Sequence, residues 1–265
     1  MTMADEETLL PGGNVNSGVV RIGETVRRTQ TAASPAVHAL LLHLERKGFA
    51  GSPRFLGVDD QGREILSFVM GTTGIPPSIW QDDDPLLAAA GLLRRYHDAT
   101  VDFVQPAQAA WAFTYPDAQR HEVICHNDFA PYNYVYADDM PIAVIDFDLA
   151  GPGPRLRDLA YAAYWMTPLS FASDDQVAYA LADVAAGSRR LKQFCQAYGI
   201  AASPALLDMI DAVLHFMGDE AQVQQMVGKS AASRLKADGH LAHWQREATS
   251  FRQHRSQIEA NLYDA

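Results

Sequence analysis

The stretch HNDFAPYN, His126 to Asn133, followed by VIDFD, Val144 to Asp148, decides how the rest of the chain is read. Asp128 and Asn133 stand five positions apart on an expected loop, and Asp146 comes thirteen residues after Asn133 at the end of an apolar strand. Phosphoryl transfer needs a group that orients the attacking hydroxyl and groups that neutralise charge on the transferring phosphate. A carboxylate at 128 with an amide at 133 and a second carboxylate at 146 supplies both. Magnesium prefers oxygen ligands and is commonly held by one or two protein groups plus substrate phosphates, so two protein ligands suffice.

Working outward, EVICH and PIAVIDFD bracket this region with short β-rich runs, and YVYAD reads as a strand between them. Upstream, VVRI and TVRR are separated by Gly23-Glu24, the pattern of a two-residue hairpin turn in which glycine supplies positive φ. PRFLGVD and EILSFVM flank DDQG as a second hairpin. Between the hairpins Ser34-Pro35 reads as an N-cap and first helical residue, and Ala36 to Lys47 has helical spacing that ends at Gly48. Asp84 to Thr100 is a predicted helix with Leu86, Leu87, Ala90, Leu93 and Tyr96 toward a core. From Asp174 onward the pattern is helical, with breaks at Gly199, Pro204 and Gly239. The expected fold class is α+β: a strand-rich N-terminal lobe over residues 1–70 and a larger, mainly helical C-terminal lobe over residues 71–265.

The chain has 265 residues, 48% of them hydrophobic, enough for a full core. The longest apolar run, Leu86 to Leu93, is far short of the roughly 20 residues that span a bilayer. The acidic start MTMADEETLLPGG has no leader-like pattern, so a cytoplasmic protein without a membrane partner is expected. Cys125 and Cys195 form no metal-binding or disulfide pattern and read as reduced core thiols. A formal charge of -11 argues against a nucleic-acid polymer as partner and tolerates a cationic small molecule.

The H-x-D-x-x-x-x-N stretch followed by I-D-F resembles the catalytic and metal loops of the aminoglycoside phosphotransferase and choline kinase family, relatives of the protein kinases. GPGPRLRDLAY, Gly151 to Tyr161, and GGNVNSGVVRIGETVRR extend the resemblance from about residue 12 to about 165. A nearer likeness is to trifolitoxin immunity-type phosphotransferase-like proteins, which share GGNV, VRR, ICHNDxAPYN and IDFD. The resemblance implies a two-lobed protein-kinase-like fold and an ATP- or GTP-dependent O-phosphotransferase that uses Mg2+ and a small hydroxylated acceptor, such as an aminoglycoside-like antibiotic. It makes Asp128 the general base, Asn133 and Asp146 the metal ligands, His126 the loop-bracing histidine and Asp158 the brace of the catalytic loop. Asn14, Val15, Asn16 and Ser17 would lie over the phosphates, and the backbone of Phe68 and Val69 would meet the base.

Two departures stand out. The family's strand lysine is absent, leaving Arg27 or Arg28; Arg27 should share a face with Val20 and Ile22, Arg28 with Val19 and Arg21, and matching the family's V-x-K favours Arg27. A guanidinium grips phosphate as a fork where lysine offers a point charge. The following helix has Val37 and His38 where an acid would orient that cation, and His38 reads as exposed. These departures keep a second reading open, a non-catalytic kinase-like immunity or nucleotide-binding protein. Asp148 reads either as a carboxylate supporting the site or as a turn residue. Tyr161, Tyr164 and Trp165 read as core packing or as a pocket wall, and Asp174-Asp175 as a helix start or an attraction for a cation.

Overall fold

The structure, a computed structural model, describes residues 7–10, 18–171 and 183–263. Its first part is an antiparallel sheet of β1 (Thr8–Leu9), β2 (Val20–Ile22), β3 (Thr25–Thr29), β4 (Phe55–Val58) and β5 (Arg63–Ser67), in the order β1-β2-β3-β5-β4. Gly23, at φ 57°, makes the β2–β3 turn. Both expected hairpins are present, and Val20 faces Arg27 as the hairpin register requires.

Between β3 and β4 runs α1 (Ser34–Arg46), with Ala33 rather than Ser34 at its cap and Pro35 inside the first turn. Ser34 instead uses its hydroxyl to accept from the Thr31 N–H (2.9 Å), which tightens the entry into the helix. Val37, Leu40, Leu41 and Leu44 form its buried stripe, each side chain contributing about 1.5–3 kcal/mol through removal from water.

After β5 the chain crosses at Thr72, which pairs with Tyr136, and enters α2 (Asp83–Thr100). The buried face of α2 is Leu86, Ala89, Ala90, Leu93, Tyr96 and His97; Leu87, expected among them, is 41% exposed because it lies a step around the helix. Three short pieces carry the site: β6 (Val123–Cys125), then β7 (Tyr134–Ala137) paired with β8 (Met140–Val144). β9 (Gly151–Gly153) pairs with β6. Gly151 is required there by contact: an added Cβ would lie 1.8 Å from the Phe113 carbonyl oxygen.

The remainder is helical: α3 (Arg155–Met166), α4 (Val184–Tyr198), α5 (Pro204–Gly218), α6 (Glu220–Val227), α7 (Lys229–Ala237) and α8 (His240–Tyr263). Local chemistry fixes the ends of these helices. Asp183 accepts from the N–H groups of Ala185 and Ala186, Ser203 caps α5 ahead of Pro204, Asp219 caps α6, and Gly199 closes α4 at φ 97°. One core joins α1 and α2 to the helices behind them, and Cys125 and Cys195 are free thiols buried in it. Among the described residues no helix is long and apolar enough to cross a membrane.

Candidate active site

The loop after β6 is pinned from below. Asp158, fully buried on the first turn of α3, accepts from the backbone N–H of His126 (2.6 Å) and of Asn127 (2.7 Å), and from His97 Nε2 (3.1 Å). Burial would raise the Asp158 carboxyl, but these donors outweigh it and hold it below the usual range. Asn127 has φ 63°, a left-handed conformation that asparagine tolerates better than most residues. Its amide is locked at both ends, donating to the Leu149 carbonyl (2.9 Å) and accepting from Arg157 Nε (2.8 Å).

His126 is fully buried, and its Nε2 donates to the Ile145 carbonyl (3.1 Å) while Nδ1 faces the Asp128 N–H (3.3 Å). One nitrogen must carry the proton and the other must accept, so the ring is neutral with the proton on Nε2. Burial pushes its pKa down to about 4. The ring ties the loop carrying Asp128 to the residue before Asp146.

Asp128 emerges half-buried above this base. Its Oδ1 accepts from the Tyr132 hydroxyl (2.5 Å) and its Oδ2 from Asn133 Nδ2 (2.8 Å). Burial, with a contribution from the charge of Asp146, raises the carboxyl to about 6 against the pull of its hydrogen bonds. Asn133 Nδ2 also donates to the Asp128 carbonyl (3.0 Å), so its amide orientation is set and Oδ1 is left as an oxygen donor. Asp146 follows β8 at φ 65°, with its side chain 40% exposed. Asn133 Oδ1 and the Asp146 carboxylate are hard oxygen donors that suit magnesium; among the described residues no cluster of three His, Cys, Asp or Glu forms a metal cage of its own.

The strand cation bonded to Asp146 is Arg28, so the expectation that Arg27 is the strand residue facing this cluster is corrected. Val26 and Arg28 alternate onto one face of β3, where Val26 packs on the core and Arg28 stands opposite Glu64. Arg27 lies on the other face, with its Nε 3.8 Å from Asp59. Counted from Val26, V-x-K itself ends on Arg28. The Arg28 fork bonds Glu64, Asp146 (3.2 Å) and Asp148 (2.5 Å). Burial opposes its charge, but the three acids outweigh burial and hold the guanidinium protonated.

His38 is also corrected: it is buried, stacked on Phe55 at 3.8 Å, with its Nε2 2.5 Å from Glu64 Oε2. The acid that orients the strand cation therefore comes from β5, and the helix contributes the histidine that holds that acid. Sequence reading missed Glu64, and the available signal was register, since Glu64 is the cross-strand partner of Arg28. Asp148 supports the site through Arg28. Tyr132, His97 and Arg157 were also missed, and no motif marks them.

Phe68 N–H is committed to the Glu24 carbonyl (2.9 Å). Tyr161 and Tyr164 are buried, and Tyr132, Tyr161, Trp165 and Trp244 form a chain of ring contacts beginning at Asp128. Asn14, Val15, Asn16, Ser17 and Asp174-Asp175 lie outside the described residues.

The chain matches the APH model, described as a phosphotransferase enzyme family, over residues 81–202. It is 30% identical over 269 aligned residues to the trifolitoxin immunity protein of Rhizobium leguminosarum bv. trifolii, covering 98% of this chain and all of that one. Among solved structures, the gentamicin-APH(2")-IIa complex aligns over 94% of both chains at 12% identity and a TM-score of 0.58. Amicoumacin kinase hAmiN in complex with AMP-PNP, Ca2+ and Ami aligns over 92% of this chain and 89% of that one, at 10% identity and a TM-score of 0.58. At these identities the two structures establish a shared kinase-like fold.

Proposed function

The chain belongs to the APH phosphotransferase enzyme family, and from that premise we propose that it moves the γ-phosphoryl group of ATP or GTP to a hydroxyl of a small molecule. One observation carries the reading: a half-buried carboxylate, Asp128, is held by Asn133 beside the Asp146–Arg28 cluster, with the loop beneath pinned by Asp158. A protein released from catalysis has no chemical need to keep all of these groups together.

In this reading Asp128 orients the acceptor hydroxyl and takes its proton as the bond to phosphorus forms. Asn133 Oδ1 and Asp146 would hold magnesium, which when bound supplies charge neutralisation on the phosphates. Arg28, anchored by Glu64, offers its fork to the phosphates in place of a lysine. The base edge would meet the Phe68 carbonyl and the Val69 N–H, since the Phe68 N–H is already used. Residues 1–70 would serve as the nucleotide lobe and residues 71–265 as the catalytic and acceptor lobe of a cytoplasmic enzyme.

The acceptor is proposed to be a hydroxylated antibiotic or related metabolite, in keeping with the immunity role named for the 30% identical relative. That name fits equally a non-catalytic protein that binds without turnover. A screen of ATP and GTP consumption across hydroxylated antibiotics and amino alcohols, run beside Asp128→Asn, decides between them. Acceptor-stimulated turnover that the variant loses supports the enzyme; nucleotide binding without turnover for any acceptor rejects it.

A further inference from the structure

Both oxygens of Asp128 are engaged by the protein itself, Oδ2 by Asn133 and Oδ1 by the Tyr132 hydroxyl. Tyr132 lies in a short 3-10 turn, Pro131–Asn133, between Asp128 and Asn133, and is 39% exposed. Its ring stands edge-on to Trp165 at 5.5 Å. Its hydroxyl has a second partner, the Tyr161 hydroxyl, at 2.8 Å.

A hydroxyl donating to Asp128 is the arrangement the acceptor itself must adopt before transfer. We propose that Tyr132 is a stand-in for the acceptor: its hydroxyl occupies the acceptor's position on Asp128 Oδ1 and keeps water from the base until an acceptor displaces it. Tyr132 thereby sets the preference for acceptor over water, and the inference rests on the phosphotransferase reading above.

The physical case has three parts. Water would make a charge-assisted bond to the same carboxylate, but the Tyr132 phenol is the stronger donor and is already held in place beside Asp128, so a lone water competes poorly with it. An acceptor brings contacts remote from the reacting hydroxyl, and these offset the loss of the Tyr132 bond. Displacement also leaves no polar group stranded, because Tyr132 retains Tyr161 as a partner and its ring borders solvent. Water attack on the γ-phosphate would waste nucleotide by the same displacement that phosphorylates an acceptor, and a base covered while no acceptor is bound limits that loss.

The test compares wild type with Tyr132→Phe, which removes only the hydroxyl, and with Tyr161→Phe. Consumption of magnesium-ATP and magnesium-GTP is followed without acceptor and with the best acceptor from the screen, together with phosphorylated product. Tyr132→Phe is expected to raise acceptor-independent hydrolysis roughly 10-fold or more, the scale of one lost charge-assisted hydrogen bond. The acceptor KM should fall, and product formed per nucleotide consumed should drop. Tyr161→Phe should shift the same ratio in the same direction by less. A residue that only stiffens the loop would slow both reactions together and leave that ratio unchanged, and this result overturns the proposal. So does hydrolysis at or below the wild-type rate in an enzyme that still phosphorylates its acceptor, in which case the phosphotransferase reading survives. Absence of any turnover from wild type and variants alike overturns both.

Discussion

Arg28 Nη1 donates to Asp146 Oδ1 at 3.2 Å, a direct contact between a sheet strand and the acid after β8, residues 118 positions apart. The same guanidinium bonds Glu64 and Asp148, so one cation offsets three carboxylates where the nucleotide phosphates are proposed to lie.

Removing that cation should do two things. Arg28→Ala leaves the almost fully buried Glu64 opposed only by His38, and losing one partner of a buried pair costs about 3–5 kcal/mol. The melting temperature should fall by several degrees, and nucleotide affinity should fall with it. Arg27→Ala, on the opposite face beside Asp59, should leave affinity near wild type. Calorimetric titration of both variants with magnesium-nucleotide checks this, and the reverse ranking would return the phosphate role to Arg27.

Asp128→Asn keeps the shape of the side chain and removes its capacity to accept a proton. Turnover should fall at least 100-fold, the usual contribution of a general base. The melting temperature should change little, because Asp128 is only half-buried and the loop beneath is held by Asp158. A rate within a few-fold of wild type would remove Asp128 from the role.

The parts of this site that were legible in the sequence are those whose spacing along one loop carries the chemistry: His126, Asp128, Asn133, and Asp146 at the end of its strand. The hairpins were legible because Gly23-Glu24 and DDQG leave little choice of turn. Arg27 was favoured over Arg28 although the hairpin register was read correctly, because register says which residues share a face and not which face meets the site. His38 read as exposed since nothing local shows that Glu64 and Phe55 will cover it. Tyr132 and His97 act through partners brought close by the fold, Asp128 with Tyr161 and Asp158 with Tyr198, and pairwise contacts of that kind leave no periodic signal.

Gly151 offers a test of the support beneath the loop. It pairs with Cys125 immediately before His126, and a Cβ there would meet backbone, the Phe113 oxygen at 1.8 Å and its carbon at 3.0 Å. Backbone yields less readily than a flexible side chain, so Gly151→Ala should destabilise by about 1–3 kcal/mol or more, as overpacking does. Turnover should decline in the soluble fraction because β6 carries the loop. Denaturant unfolding gives the first quantity, and an unchanged midpoint would show that the Phe113 segment can move aside.

The pH dependence of stability should carry the signature of His126. Its folded pKa is depressed to about 4 by burial, against 6.5 for the exposed ring. Between those values the unfolded chain binds a proton that the folded chain does not, so stability rises with pH across the window. The contribution is complete above about pH 6.5 and is lost as pH falls toward 4. At 1.36 kcal/mol per pKa unit it amounts to about 3 kcal/mol. Asp128 works in the opposite sense over part of the range: its raised pKa of about 6 makes the folded state bind the extra proton, so its contribution falls as pH rises from about 4 to about 6. The two partly cancel in the wild type, and a single stability curve would hide both. Comparison with His126→Gln, which keeps a donor for the Ile145 carbonyl but cannot titrate, isolates the histidine. The wild type should lose more stability than the variant on going from pH 6.5 to pH 4.5, measured by urea unfolding at each pH. Parallel curves for the two proteins would mean that the folded ring titrates as freely as the unfolded one, contrary to its burial under Tyr96, Phe129 and Phe147.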